Sequence, residues 1–347
     1  MITINSGLSG KYFSATMPDI SFGINGHHAS VRMQIDGQDI FFEDLYPASG
    51  VINLRDIPAL ITPYARKSLA VHLDISISEK FNDDAPTNNA SLAADVVYCE
   101  ADIDTPAADF INTHFLSLMI GTRTTAIGRM EYLHYIGTDQ AQVQAHYDDH
   151  SKKTFTLEPI AGNEKYTTID VSPAQFTKEG HLLTYYIVTA GKRSQEYDID
   201  FAAPDCAPIL LFDNSFGVEE LLYCTGTATM APSFKRNVAN IEGKQRNYSI
   251  EETRTMKADT GVMNYDTAAW TQELFRSKFV RVITFVKGQA NIGKEILITD
   301  SKTEYTNKDD ELPRFTFSYQ YAQHNQNVLS LLRAGRIFDN TFDNTFN

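Results

Sequence analysis

The residues best suited to chemistry lie in the run HYDDH, His146 to His150. Imidazole and carboxylate are good ligands for a transition metal, and two His at i and i+4 on a helix would share one face. The surrounding AQVQAHYDDHSKKTFTLEP instead alternates as a strand through Val143, Ala145 and Tyr147, then turns at DDHSKK. On a strand, His146 and His150 sit too far apart for one ion. A solvated hairpin end is expected there, and no metal site is assigned. His27-His28 directly follow Asn25-Gly26 and read as a structural or exposed pair at a turn. Paired carboxylates occur at Asp83-Asp84, Asp148-Asp149 and Asp309-Asp310, with Asp198 and Asp200 in EYDID. They offer acid–base chemistry only if two of them face each other across a cleft, as glycoside hydrolysis requires. There is no P-loop, GxGxxG, GxSxG, HExxH or EF-hand spacing. No catalytic residue and no cofactor is therefore assigned, and the chain is expected not to be an enzyme.

Cys99, Cys206 and Cys224 are odd in number, lack CxxC spacing, and sit in strand-like contexts such as DVVYCEAD and ELLYCTGT. They read as small buried hydrophobes rather than disulfide partners. A net charge of −14 argues against non-specific nucleic-acid binding, which needs a basic footprint. The one basic-leaning stretch, FKRNVANIEGKQRN, reads as a solvated face. No apolar run is long enough for a membrane span. MITINSGLSGKYF has neither a basic n-region nor an apolar h-region, so no secretory signal and synthesis in the cytoplasm are expected.

The elements that must position these residues are mostly strands. With 347 residues, 17 Tyr, 21 Phe and 1 Trp, the chain suits two or three sheet-rich domains. ASVRMQI, Leu69–Ile77, AADVVYCEADI, KTFTLEPI and HLLTYYIVT carry strand patterns. Asn25-Gly26, Asp36-Gly37, Glu179-Gly180 and Gly191 supply turns between strands. Helices are few. DTPAADFINTHF has Asp104 as a candidate N-cap, and NLRDIPALI is at most one short turn. In DTAAWTQELFRS, Asp266 is placed to cap and Trp270, Leu274 and Phe275 share a face. The expected fold is mainly β, with two or three consecutive antiparallel sandwich-like domains, the last carrying an added helix. Boundaries fall near His114 and Pro204, giving segments 1–113, 114–203 and 204–334 before a tail at 335–347.

That tail, RIFDNTFDNTFN, repeats a four-residue unit, and a near-copy, FDNSF, spans Phe212 to Phe216. As a strand the tail places Phe338, Phe342 and Phe346 on one face with Asn340 and Asn344. It can pack on its own domain, remain a disordered tail, or add to a sheet or groove of a neighbouring subunit. FDNSF follows the apolar PILL and is expected to meet its own core.

APILLFDNSFGVEELLYCTGT, SKFVRVITF, EILITDSKTEYTNKDDELPRFTFSYQYA and GRIFDNTFDNTFN, with the earlier FFEDLYPASGVINLRDIPALITPYA, resemble uncharacterised structural proteins of tail or baseplate type. These are encoded by Bacteroides phages and prophage islands. The resemblance implies a virion or tail-like particle, with further copies and other tail proteins as partners. It names no catalytic residue. A structural and interaction subunit is the first expectation, with a carbohydrate-binding module or adhesin second. A glycoside hydrolase using Asp148 and Asp149 comes third.

Overall fold

The computed structural model describes residues 1–82, 88–160, 165–286, 288–304, 306 and 311–323. Period-two patterning produces most of it. Strands β1 (Thr3–Ser6), β2 (Ser9–Phe13), β3 (Ile20–Gly23), β4 (His28–Ile35), β5 (Gln38–Leu45) and β6 (Val51–Leu54) precede helix α1 (Ile57–Ser68). Strands β7 (Ala70–Lys80) and β8 (Asn88–Val97) follow it. They form two sheets, β1-β3-β6 and β2-β8-β7-β4-β5, whose inner residues share one core. In β7, Val71, Leu73, Ile75 and Ile77 all point inward, as the alternation predicts. Asp36 and Gly37 both take positive φ, 49° and 80°, the geometry of a tight hairpin joining β4 to β5.

Helix α2 (Ala107–Thr113) closes the first unit, burying Ala107, Phe110 and Ile111 in its core. The second unit holds β9 (Thr122–Thr125), β10 (Tyr132–Tyr135), β11 (Ala141–Tyr147), β12 (Lys152–Leu157), β13 (Thr167–Asp170), β14 (Leu183–Ala190) and β15 (Arg193–Ile199). Its sheets are β12-β11-β14-β15-β9 and β10-β13, packed around Tyr186, Tyr197, Phe176 and their aliphatic neighbours. All pairings in these two units are antiparallel except β2–β8 and β15–β9.

The third unit is one antiparallel sheet of seven strands, in order β17-β16-β20-β21-β22-β19-β18. Its members are β16 (Ile209–Asp213), β17 (Glu219–Tyr223), β18 (Thr229–Ile241), β19 (Lys244–Asp259), β20 (Val280–Val286), β21 (Gln289–Lys302) and β22 (Thr316–Tyr321). Helix α3 (Tyr265–Arg276) covers one face, burying Trp270 and Leu274 against Leu210, Phe212 and Phe317. The mainly β class with an added helix in the last unit is thus present.

Helix detail departs from the sequence reading. NLRDIPALI opens a full helix of 12 residues that contains Pro63. The stripe Ile57, Ile61 and Ala65 faces the core, so burial outweighs the backbone hydrogen bond that proline cannot donate. Helix α2 is capped by Pro106, not Asp104, and α3 by Asn264, whose side chain accepts from the Thr267 N–H. Among the described residues no helix is long and apolar enough to cross a membrane.

Candidate functional site

Several charged side chains are buried where the units meet. Arg123 on β9 lies 3.6 Å from Glu131 and donates to the Leu221 carbonyl at 3.0 Å. Its guanidinium also stacks 4.1 Å over the Trp270 ring. Glu220 on β17 accepts from Ser117 Oγ (2.7 Å), Asn214 Nδ2 (3.0 Å) and Trp270 Nε1 (2.9 Å). Burial works against the Arg123 charge, but Glu131, Tyr197 and Glu220 more than offset it, so the guanidinium stays protonated. Burial pushes the Glu131 carboxyl up, against the pull of Arg123. One cation, two carboxylates and an indole therefore lock the second unit to the third. A second buried cation, Arg193, donates to the Ile111 carbonyl from Nε at 2.9 Å and from Nη2 at 2.6 Å, fastening α2 to β15.

FDNSF belongs to this lock. Phe212 sits in the third core, whereas Phe216 and Val218 insert into the first, where Phe216 packs 5.3 Å from Phe110 and 5.8 Å from Phe13. Strand β16 ends at Asp213, inside the unit. Asn214 Oδ1 accepts from the N–H groups of Phe216 and Val218, while Nδ2 donates to the Leu116 carbonyl. Asn and Ser thus build a turn, and the two Phe residues point into different cores.

Beside the lock a cleft of about 330 Å³ opens between the second and third units, lined by His134, Tyr132, Tyr166, Leu211, Glu219 and Asn291 among others. His134 Nε2 donates to the Glu219 carbonyl at 2.9 Å, and Nδ1 lies 3.0 Å from the Thr168 hydroxyl. A neutral ring satisfies both contacts, and burial pulls its pKa down to about 4. Glu131 and Glu220 border the cleft but are buried, with oxygens occupied by the lock. Trp270 is equally buried, so it is not available to stack on a sugar.

HYDDH comes apart. His146 is buried on β11 and stacks 4.0 Å from Tyr185, while His150 is exposed in the turn with φ 62°. Asp148 and Asp149 meet His181 from a neighbouring turn, with ligand atoms within 4.8 Å of one another. Lys178 Nζ already sits 2.7 Å from Asp149, and together with two bonds from Ser151 it holds that carboxyl below its ordinary range. A cation would have to displace the lysine. Asp198 lies on β15, and Asp200 just beyond it accepts from the Ala202 N–H. Asp83, Asp84, Asp309 and Asp310 lie outside the described residues, as do Phe338, Phe342 and Phe346. His28 is buried and shares a ring cluster with His27 and Tyr46. Cys99 and Cys224 are buried free thiols, with Cys99 pushed up to about 12 by burial.

The stretch FKRNVANIEGKQRN, expected as a solvated face, belongs to an exposed two-stranded arm that sequence reading did not foresee. Strand β18 pairs with β19 alone, and β19 meets β22 only from Met256 to Asp259. From Thr255 outward the two strands form a ribbon with both edges open among the described residues. At 3.3 Å per residue the arm projects roughly 40 Å. Its tip is Glu242-Gly243, both at positive φ (54° and 75°), the same tight turn as Asp36-Gly37. The register puts Met230, Phe234, Val238 and Ile250 on the face continuous with buried Met256, and they are 59%, 43%, 55% and 49% exposed. FKRNVANIEGKQRN is the distal half of this arm. The missed signals were the Glu-Gly turn and the apolar residue at every fourth position from Met230 to Val238.

No family model and no curated protein matches the chain. Among solved structures it is similar to a biofilm-associated protein BSP domain, at 10% identity and TM-score 0.19. That match covers 58% of this chain, which spans only 30% of the other. It is also similar to the I9–I11 tandem from titin, at 7% identity and TM-score 0.16, over 93% of this chain and 91% of that one. Both superpositions fall far below a shared fold, so its own residues carry the functional reading.

Proposed function

We propose that the chain is a non-enzymatic structural and interaction subunit of a larger assembly, of the tail or tail-like kind that its sequence resembles. The observation that carries this reading is the arm. A two-stranded ribbon is marginal in water unless something packs on it, and this one presents four large apolar side chains to solvent. The buried charge locks support the same reading, since they hold three units as one scaffold and leave their carboxylates no free oxygen for catalysis.

Joining Ser233 to Thr253, which are cross-strand partners, through an Asn-Gly turn removes the distal arm without touching a core. The shortened protein should melt at the same temperature as the full chain and show fewer copies per particle by light scattering. Equal copy numbers for the two would sink the proposal. Phe338, Phe342 and Phe346 offer a second contact, and deleting Gly335–Asn347 should lower the assembled mass if that segment reaches a neighbour.

A further inference from the structure

We propose that the arm of one copy is seated on the open edge of β5 in a second copy, adding β18 to that copy's first sheet. The inference rests on the assembly reading above and names its partner surface. Charge points to it. Between Thr229 and Lys257 the arm carries Lys235, Arg236, Lys244, Arg246, Arg254 and Lys257 against Glu242, Glu251 and Glu252, a basic limb on a chain of −14. Two of those acids are already engaged, Glu251 by Lys235 at 3.6 Å and Glu252 by Arg254. Arg236, Lys244 and Arg246, all in the distal half, have no acidic partner among the described residues.

β5 has the complementary features. It is the last strand of its sheet, so its outer backbone groups are open. The stretch from Asp36 to Tyr46 contains Asp36, Asp39, Glu43 and Asp44 and no Lys or Arg. Asp39 and Asp44 are partly engaged, by Arg32 at 3.8 Å and Lys80 at 4.0 Å, while Glu43 has no ion-pair partner among the described residues. Phe42 and Tyr46 are 58% and 65% exposed, giving the seat an apolar component to meet Phe234, Val238 and Ile250. Lengths agree as well. Pro232 lacks an N–H and interrupts the outer edge of β18, and the run beyond it, Ser233 to Ile241, is one residue longer than the 8 of β5. Main-chain bonds would supply affinity, and the alternation of charge and apolar contacts would set register.

An arm on the third unit and a seat on the first make a head-to-tail contact, which generates a ring or a filament. This geometry gives a decisive test in the full-length chain. Two variants are prepared, an arm variant (Ser233 joined to Thr253 through the Asn-Gly turn, so that no arm remains to meet a reversed seat) and a seat variant (Asp39→Lys, Glu43→Lys), each checked for an unchanged melting temperature. Either alone should run as a monomer in sedimentation velocity while the wild type, 38.9 kDa per copy, assembles. Mixed one to one, they should give a dimer and nothing larger, because one intact arm meets one intact seat. A wild type that assembles while the seat variant still assembles overturns this seat and leaves the assembly reading standing. Monomers throughout, wild type included, overturn both. A mixture that stays monomeric, or loss of assembly only on deleting Gly335–Asn347, also overturns the seat in favour of another occupant of the arm.

Discussion

Phe216 and Phe234 stand in short polar contexts, FDNSF and PSFKR, and the fold uses them in opposite ways. Phe216 is fully buried, with Asn214 turning the chain so that its ring enters a core built by another unit. Phe234 lies on a ribbon whose partner strand covers one edge, and its ring, with the Arg236 guanidinium 5.4 Å over it, stays 43% exposed. The difference lies in what the neighbouring polar groups bond to. Around Phe216 they are spent inside the molecule, on Leu116, Glu220 and Glu273. Around Phe234 they are left facing outward. The first pattern builds a scaffold and the second offers a contact.

Breaking the scaffold side should have the largest effect. Replacing Arg123 by Leu leaves Glu131 and Glu220 buried without their cation, and removing one partner of a buried pair costs about 3–5 kcal/mol. Denaturant unfolding should register that loss, and adding Glu131→Leu should return part of it. A change below about 1 kcal/mol would mean the lock contributes little. Phe216→Ala comes next, at about 3 kcal/mol, the low end for a buried Phe because Phe13 and Phe110 flank the ring and can close in. Unfolding monitored at Trp270, the sole tryptophan, would show whether loss of a first-core contact is felt in the third unit.

Acid tests the same junction more gently. His134 has its pKa depressed from 6.5 to about 4, so the unfolded chain binds the proton more readily than the folded one. Its contribution to stability is complete above pH 6.5 and is lost as pH falls towards 4. Near pH 5 the loss should be about 2 kcal/mol, since a tenfold difference in proton affinity between the folded and unfolded chain is worth about 1.36 kcal/mol. His134→Gln should flatten that part of the stability profile. An unchanged slope below pH 6.5 would show that other groups produce it.

How far these features were legible in the sequence follows from the same contrast. Alternation exposed β4, β7 and β14 because their inner residues face a core on one side only. The mainly β class and the Trp270–Leu274 helix face were read for that reason. Helix α1 was under-read because Pro63 argued locally against it, and only tertiary burial of Ile61 and Ala65 reverses that. The lock was invisible: Arg123, Glu131, Glu220 and Trp270 are spread over much of the chain, and no spacing rule links them. HYDDH was legible as a strand running into a turn, and that strand and turn do send its two histidines to different places; what the sequence did not show is that His181 joins Asp148 and Asp149 from a neighbouring turn.

The smallest effect on stability should come from the arm. Phe234→Ser removes a ring that is 43% exposed, so the melting temperature of the monomer should scarcely move, within about 0.5 kcal/mol. Hydrogen exchange should separate this residue from Phe216 most clearly. In the isolated monomer the amides of Ser233 to Ile241 on the open edge should exchange freely, since only those facing β19 are bonded. In the assembled wild type the same outward amides should become protected, and with them those of β5. Phe234→Ser should shift the assembly to higher protein concentration and leave β16 and α3 protection unchanged. If Phe234→Ser lowered stability as much as Phe216→Ala, the arm would be part of the scaffold and the contrast between the two regions would collapse.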